Sequence, residues 1–121
     1  MSYSFDKDNL CAFFCAERNN DMSVVFERKG DTLVALLSGE IDHHTAAEFR
    51  DSIDREAEML HPSVLVLDFG GIGFMDSSGI GLIMGRYRNA AAYGGVIRVI
   101  NPSPMIERMM KLAGMTRLDV I

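Results

Sequence analysis

The sequence predicts an α/β fold, a small mixed β-sheet with crossover helices. Three observations point there. Strand-like and helix-like runs alternate from Met22 onward in the order ββαβαβα(β). The run "SVLVLDF", Ser63 to Phe69, is apolar without alternation, as in a strand covered on both faces and therefore parallel and central. The chain has 121 residues, 48% of them apolar and 24% charged, which suits one globular domain with a substantial core.

Residues 1–21 look unlike the rest, so the domain is assigned to 22–121 and the first 21 residues to an N-terminal extension. "SVVFER" and "TLVALLSGEI" are β-rich runs separated by "KGD", a hairpin-like turn with glycine at its centre. In "DHHTAAEF", Thr45 and Glu48 have the spacing of a capping box, predicting a helix start there. Phe49, Ile53, Ala57 and Leu60 then recur on one helical face until Pro62 stops the helix. After "SVLVLDF" comes a glycine loop, then a second helix in "SSGIGLIMGRYRNAAAY", ended by Gly94-Gly95. "VIRVI" is a strand. Ser103 and Pro104 in "NPSP" suit the N-cap and first position of a Met-rich helix that runs to Gly114. "RLDVI" closes the chain as an edge strand. The turns "DHHT", "MDSSG" and "NPSP" each lead from a strand into a helix, so all three are expected on one rim, at the carboxyl end of the sheet.

Bulk properties exclude several functions. With 12 basic against 17 acidic residues, net charge −5, and no basic cluster, neither nucleic acid nor an anionic membrane surface is an expected partner. No apolar run approaches the ~18 residues of a transmembrane helix. "LCAFFCA", Leu10 to Ala16, lacks the basic flank and cleavage site of a secretory signal, which places the protein in the cytoplasm. Cys11 and Cys15 have no histidine nearby to complete a zinc site and read as small apolar residues in a reduced compartment. No metal or cofactor is expected.

The stretch "GGIGFMDSSGIG", Gly70 to Gly81, fails three catalytic templates. A P-loop needs a lysine, and none lies between Lys29 and Lys111. In the dinucleotide fingerprint, Asp76 stands where the third glycine belongs. In the nucleophile elbow, Met75 replaces the first glycine before Ser77. A serine hydrolase would need His43 or His44 as base across the rim; both read more simply as turn residues. A phosphate-accepting receiver domain would use Asp68, but the acidic cluster and late lysine are missing.

What remains is a serine at a helix N-terminus. A phosphoryl group on Ser77 would find backbone N–H donors and the helix dipole there. The same spacing equally suits Asp76 or Ser77 as a plain N-cap. Gly81 and Gly85 weaken the second helix, which predicts close approach of another backbone, in the core or at a partner surface. Met105, Met109, Met110 and Met115 are read as core fillers, Arg86 as part of a solvated face and Tyr87 as packed.

"FMDSSGIGLIMGRYR", with "SGEIDHHTA" upstream and "RLDVI" at the end, resembles the STAS domain of bacterial anti-sigma factor antagonists over about Met22 to Ile121. "GEIDHHTA" with "GRYR" resembles the sporulation, anti-sigma-F, branch more than the general-stress branch, which stays as the alternative. The resemblance implies a STAS-like sheet and a non-enzymatic switch. Its partners would be an anti-sigma factor with serine kinase activity, which phosphorylates Ser77 and thereby loses its antagonist, and a serine phosphatase that restores binding. It also implies a partner-binding rim of Asp42, His43, His44, Asp76, Ser78 and Gly79. An enzyme using Ser77 as nucleophile is the rival class, and a STAS module of an anion transporter is a third. Residues 1–21 find no counterpart in the resemblance; one reading is a mis-assigned start, with Met22 the first residue.

Overall fold

The computed structural model describes residues 12–18, 22–115 and 119–120. The elements run β1 (Ala12–Arg18), β2 (Met22–Lys29), β3 (Thr32–Ile41), α1 (His43–Leu60), β4 (Val64–Met75), α2 (Ser78–Ala92), β5 (Val96–Ile100), α3 (Pro104–Leu112) and β6 (Asp119–Val120). The six strands lie in one sheet in chain order. β1, β2 and β3 pair antiparallel; β3, β4, β5 and β6 pair parallel. The sheet is therefore mixed, and each parallel step is bridged by a helix, as the alternation predicts. β1 falls within the stretch assigned to the extension; Cys11 lies outside the described residues.

The antiparallel half is set by the "KGD" turn, where Gly30 takes φ +59 and reverses the chain between β2 and β3. The core gathers Val24, Phe26, Leu33, Ala35, Leu37, Leu65 and Leu67 from the sheet with Phe49 and Ile53 of α1 and Leu82 and Ile83 of α2. Full burial of each such large aliphatic or aromatic side chain contributes roughly 1.5–3 kcal/mol. The face predicted for α1 is the buried one: Phe49, Ile53 and Ala57 are buried and Leu60 packs against the core.

Several expectations need correction. Helix α1 begins two residues earlier than Thr45. Its N-cap is Asp42, and the capping box is Asp42 with Thr45, not Thr45 with Glu48. The Thr45 side chain is 2% exposed and its hydroxyl donates to Glu40 O at 2.8 Å, a contact with β3 that fixes the frame. The "glycine loop" is strand as far as Met75: Gly71, Ile72, Phe74 and Met75 pair with Ser38, Gly39, Glu40 and Ile41. Close approach explains the glycine at 71, where a Cβ would lie 2.8 Å from Leu37 O. Asp68 is consequently mid-strand.

The long β4 also separates the turns. β5 ends at Ile100, paired with Asp68, whereas β4 continues to Met75. At ~3.3 Å per residue the "NPSP" turn stands roughly 20 Å behind the end of β4. Only two of the three turns share a rim. Asn101, in the left-handed region at φ 57, instead donates from Nδ2 to Asp68 Oδ1 at 3.1 Å. Among the methionines, Met110 and Met115 are buried and Met109 packs against the core, but Met105 is 44% exposed and is no core filler. Arg86 and Tyr87 exchange their expected places: Arg86 is buried and Tyr87 exposed.

Candidate functional site

The shared rim is built where β3 and β4 end side by side. Ile41 pairs with Met75, and the Asp76 N–H donates to Ile41 O at 3.0 Å. This bond ties the "DHHT" turn to the "DSSG" turn. Asp42, His43 and His44 thus follow β3 directly beside the turn of Asp76, Ser77, Ser78 and Gly79.

On the first turn, Asp42 is committed to its helix. Asp42 Oδ1 accepts from the His44 and Thr45 N–H groups, each at 2.9 Å, while its own N–H donates to Thr45 Oγ1 at 2.9 Å. The Thr45 N–H, joined by that of His44, holds the Asp42 carboxyl below its ordinary value, although burial pushes the other way. His43 and His44 are exposed, and His44 Nε2 lies 3.5 Å from Glu48 Oε2 one turn on. Among the described residues neither histidine hydrogen-bonds Ser77.

On the second turn, Asp76 takes the capping role. Its Oδ1 accepts from the Ser78 N–H at 2.8 Å, and its carbonyl accepts from the Gly79 N–H at 3.0 Å. Ser77 occupies the N-cap position with φ −64 and ψ −16, and its side chain makes no capping bond. It is exposed, and among the described residues its hydroxyl has no hydrogen-bond partner. The expectation of several free N–H groups around it is corrected: those of Ser78, Gly79 and Ile80 are engaged, leaving the N–H of Ser77 itself.

Gly79 is buried on Met75: a Cβ there would run into Met75 Sδ and Cγ. Any side chain at 79 would require the Met75 side chain beneath the first turn of α2 to move. Gly81 and Gly85 are different. A Cβ at either would meet no atom of another element within 4 Å among the described residues, so no described backbone closes on them. They line an open groove of about 300 Å³ between α1 and α2, together with His43, Ala46, Arg50 and Ser78.

Sequence reasoning missed the clamp joining these helices. Arg86 Nε lies 2.7 Å from Asp54 Oδ1, and Asn89 Nδ2 donates to the same oxygen at 3.2 Å. Burial pushes the Arg86 guanidinium below its usual pKa, while Asp54 acts to raise it. Arg86 and Asp54 are 32 positions apart in the sequence, on different helices, so the helical periodicity of "GRYR" could not reveal the pair.

The chain matches the STAS domain model over residues 23–120. It is 32% identical over 98 residues to the anti-sigma F factor antagonist of Paenibacillus polymyxa, covering 81% of this chain and 84% of that one. Among solved structures it resembles the anti-sigma factor antagonist SpoIIAA in its unphosphorylated form, with 28% identity and TM-score 0.68 over 91% of this chain and 86% of the other. It also resembles the Bacillus cell fate determinant SpoIIAA in the phosphorylated form, with 28% identity and TM-score 0.62 over 91% of this chain and 89% of the other. The mixed sheet, the joined "DHHT" and "DSSG" turns and a match running almost from the start of β2 to the end of β6 agree, and the chain belongs to the STAS domain family.

Proposed function

We propose that this protein is an anti-sigma factor antagonist of the sporulation, sigma-F, type, working in the cytoplasm as a binding protein and not as an enzyme. Unphosphorylated, it binds an anti-sigma factor and so frees the sigma factor. The anti-sigma factor is also a serine kinase; it phosphorylates Ser77, and the modified protein no longer binds until a serine phosphatase acts. The observation that carries this reading is the exposed Ser77 hydroxyl, unbonded at the entrance to α2, while Asp76 does the capping. The relative from Paenibacillus polymyxa supports the partner class, and the two SpoIIAA states support a phosphorylation cycle.

The physics of the switch is local. A phosphoryl group adds about −1.5 to −2 charge at pH 7. The Ser77 N–H and the dipole of α2 favour it in the free protein. In a closed interface the same charge must be desolvated beside Asp76, and each ~1.4 kcal/mol of that cost weakens binding about tenfold. Asp42, His43, His44, Ser78 and Gly79 would form the contact surface around it.

The test mixes the purified protein with the anti-sigma kinase of the same organism and ATP, then maps phosphate by peptide mass spectrometry. Phosphate is expected on Ser77 and absent in Ser77→Ala, with binding at least about a hundredfold weaker once Ser77 is modified. Phosphate elsewhere, or undiminished binding of the phosphoprotein, removes the switch. Absence of any complex with the unmodified protein removes the antagonist reading altogether.

A further inference from the structure

The groove between α1 and α2 is hollowed by two glycines that the fold does not need. Gly81 and Gly85 both weaken a helix interior, yet a Cβ at either would meet nothing within 4 Å elsewhere among the described residues. Ala46, Ala47 and Leu82 add apolar lining, and His43 and Ser78, also lining it, belong to the rim described above.

The polar side of the groove is cationic. Arg86 lines it with a side chain only 6% exposed. A guanidinium has five N–H donors. Arg86 uses few of them: Nε is near Asp54 but its N–H points off the carboxylate, and Nη1 makes a long 3.4 Å bond to Leu82 O. Nε is thus a buried donor without a hydrogen-bond acceptor among the described residues. Arg50 is paired with Asp51 at 3.0 Å, and exposed Arg88 has no ion pair among the described residues. Three guanidiniums (Arg50, Arg86, Arg88) thus meet two carboxylates (Asp51, Asp54), a local positive excess on a chain of net charge −5.

We propose that this groove receives an acidic side chain of the anti-sigma partner, its methylenes lying over Gly81 and Gly85 and its carboxylate meeting Arg86 and Arg88. The occupant is a protein side chain and not a free anion, because the apolar lining of Ala46, Ala47 and Leu82 suits a methylene stem, which a small ion lacks. A guanidinium with a donor left over recognises a carboxylate through charge-assisted hydrogen bonds. The proposal rests on the antagonist reading, and it names the part of the partner that the groove reads.

The test measures binding of the same purified anti-sigma factor by titration calorimetry, with thermal melting alongside. Gly81→Ala and Gly85→Ala fill the hollow. They are expected to raise Tm by roughly 4 °C each while weakening binding about tenfold, two effects that a folding defect cannot combine. Arg88→Glu is expected to weaken binding about tenfold or more, with the loss shrinking as salt rises. Arg108→Glu makes the same charge change at an exposed position of α3 that does not line the groove, and is expected to stay within about twofold. If wild type binds and the groove variants bind equally well, the groove proposal falls and the antagonist reading stands. A lowered Tm in both glycine variants, or an Arg108→Glu loss matching that of Arg88→Glu, also overturns the proposal. If wild type does not bind, both readings fall.

Discussion

Ser103 and Ser77 each precede the first residue of a crossover helix, with nearly equal φ of −65 and −64, and they differ in ψ, 162 against −16. The extended ψ at Ser103 turns its hydroxyl back over α3, where it accepts from the Ile106 N–H at 3.2 Å. The helical ψ at Ser77 carries its hydroxyl out of the turn, and Asp76 satisfies the first N–H in its place. One serine is consumed by its helix and the other is left over. Exposure alone would not make Ser77 a good acceptor for a kinase, since a hydroxyl that caps a helix resists being drawn away. Handing the capping role to the preceding residue keeps α2 closed and the hydroxyl available.

The largest effect expected within the chain comes from the support beneath Ser77. Gly79→Ala should force Met75, 2% exposed, out of its place and cost about 1–3 kcal/mol in chemical denaturation. Ser77 phosphorylation should slow in the same variant, because the turn that presents the hydroxyl shifts. Unchanged stability would mean that Met75 yields freely and that the position of the turn is set elsewhere.

A finer cut compares the two serines directly. Ser103→Ala should lose about 1 kcal/mol, the usual worth of an N-cap hydroxyl, and Ser77→Ala should change stability by less than about 0.5 kcal/mol. Equal losses would show that Ser77 does cap α2 in solution, which would restore the plain N-cap reading that its spacing allows.

How far the sequence reveals this contrast depends on the range of the forces involved. The Ser103 cap is a local signal, serine before proline before a helical pattern, and it is legible. At 76–77 the spacing leaves Asp76 and Ser77 both open as cap, because the choice turns on one ψ angle that no residue type dictates. The "DHHT" turn misleads for a related reason: Asp42-x-x-Thr45 and Thr45-x-x-Glu48 both suit a capping box, and the bond from Thr45 to Glu40 O on β3 decides between them. Strand β4 is legible only as far as Phe69, since glycines are poor strand formers and the contacts requiring Gly71 come from Leu37 and Ser38 of the neighbouring strand. Arg86 and Tyr87 are adjacent on α2, about 100° apart around its axis. Arg86 falls on the buried stripe with Gly79, Leu82, Ile83 and Ala90, where Asp54 of α1 meets it, and Tyr87 falls off it.

The smallest expected effect concerns α1, whose cap is a carboxylate where α3 uses a hydroxyl. The Asp42 carboxyl sits below its ordinary value of 3.8 in the folded chain, held chiefly by the Thr45 N–H. Between the folded value and 3.8 the unfolded chain carries more protons than the folded one, so stability rises with pH in that window. The contribution is complete above the unfolded value and is lost as pH falls through the folded one. Asp42→Asn keeps an oxygen to accept the N–H bonds but removes the titration. The difference in Tm between wild type and Asp42→Asn should therefore narrow as pH drops from about 5 to about 3, whereas the difference for Ser103→Ala should stay flat. A flat Asp42 difference would mean that the N–H bonds do not favour the ionised form, and α1 would then be capped as indifferently to pH as α3. A narrowing difference would set the three helix starts apart by their chemistry: α1 closed by a group that titrates, α3 by one that does not, and α2 by a neighbour that leaves its own serine idle.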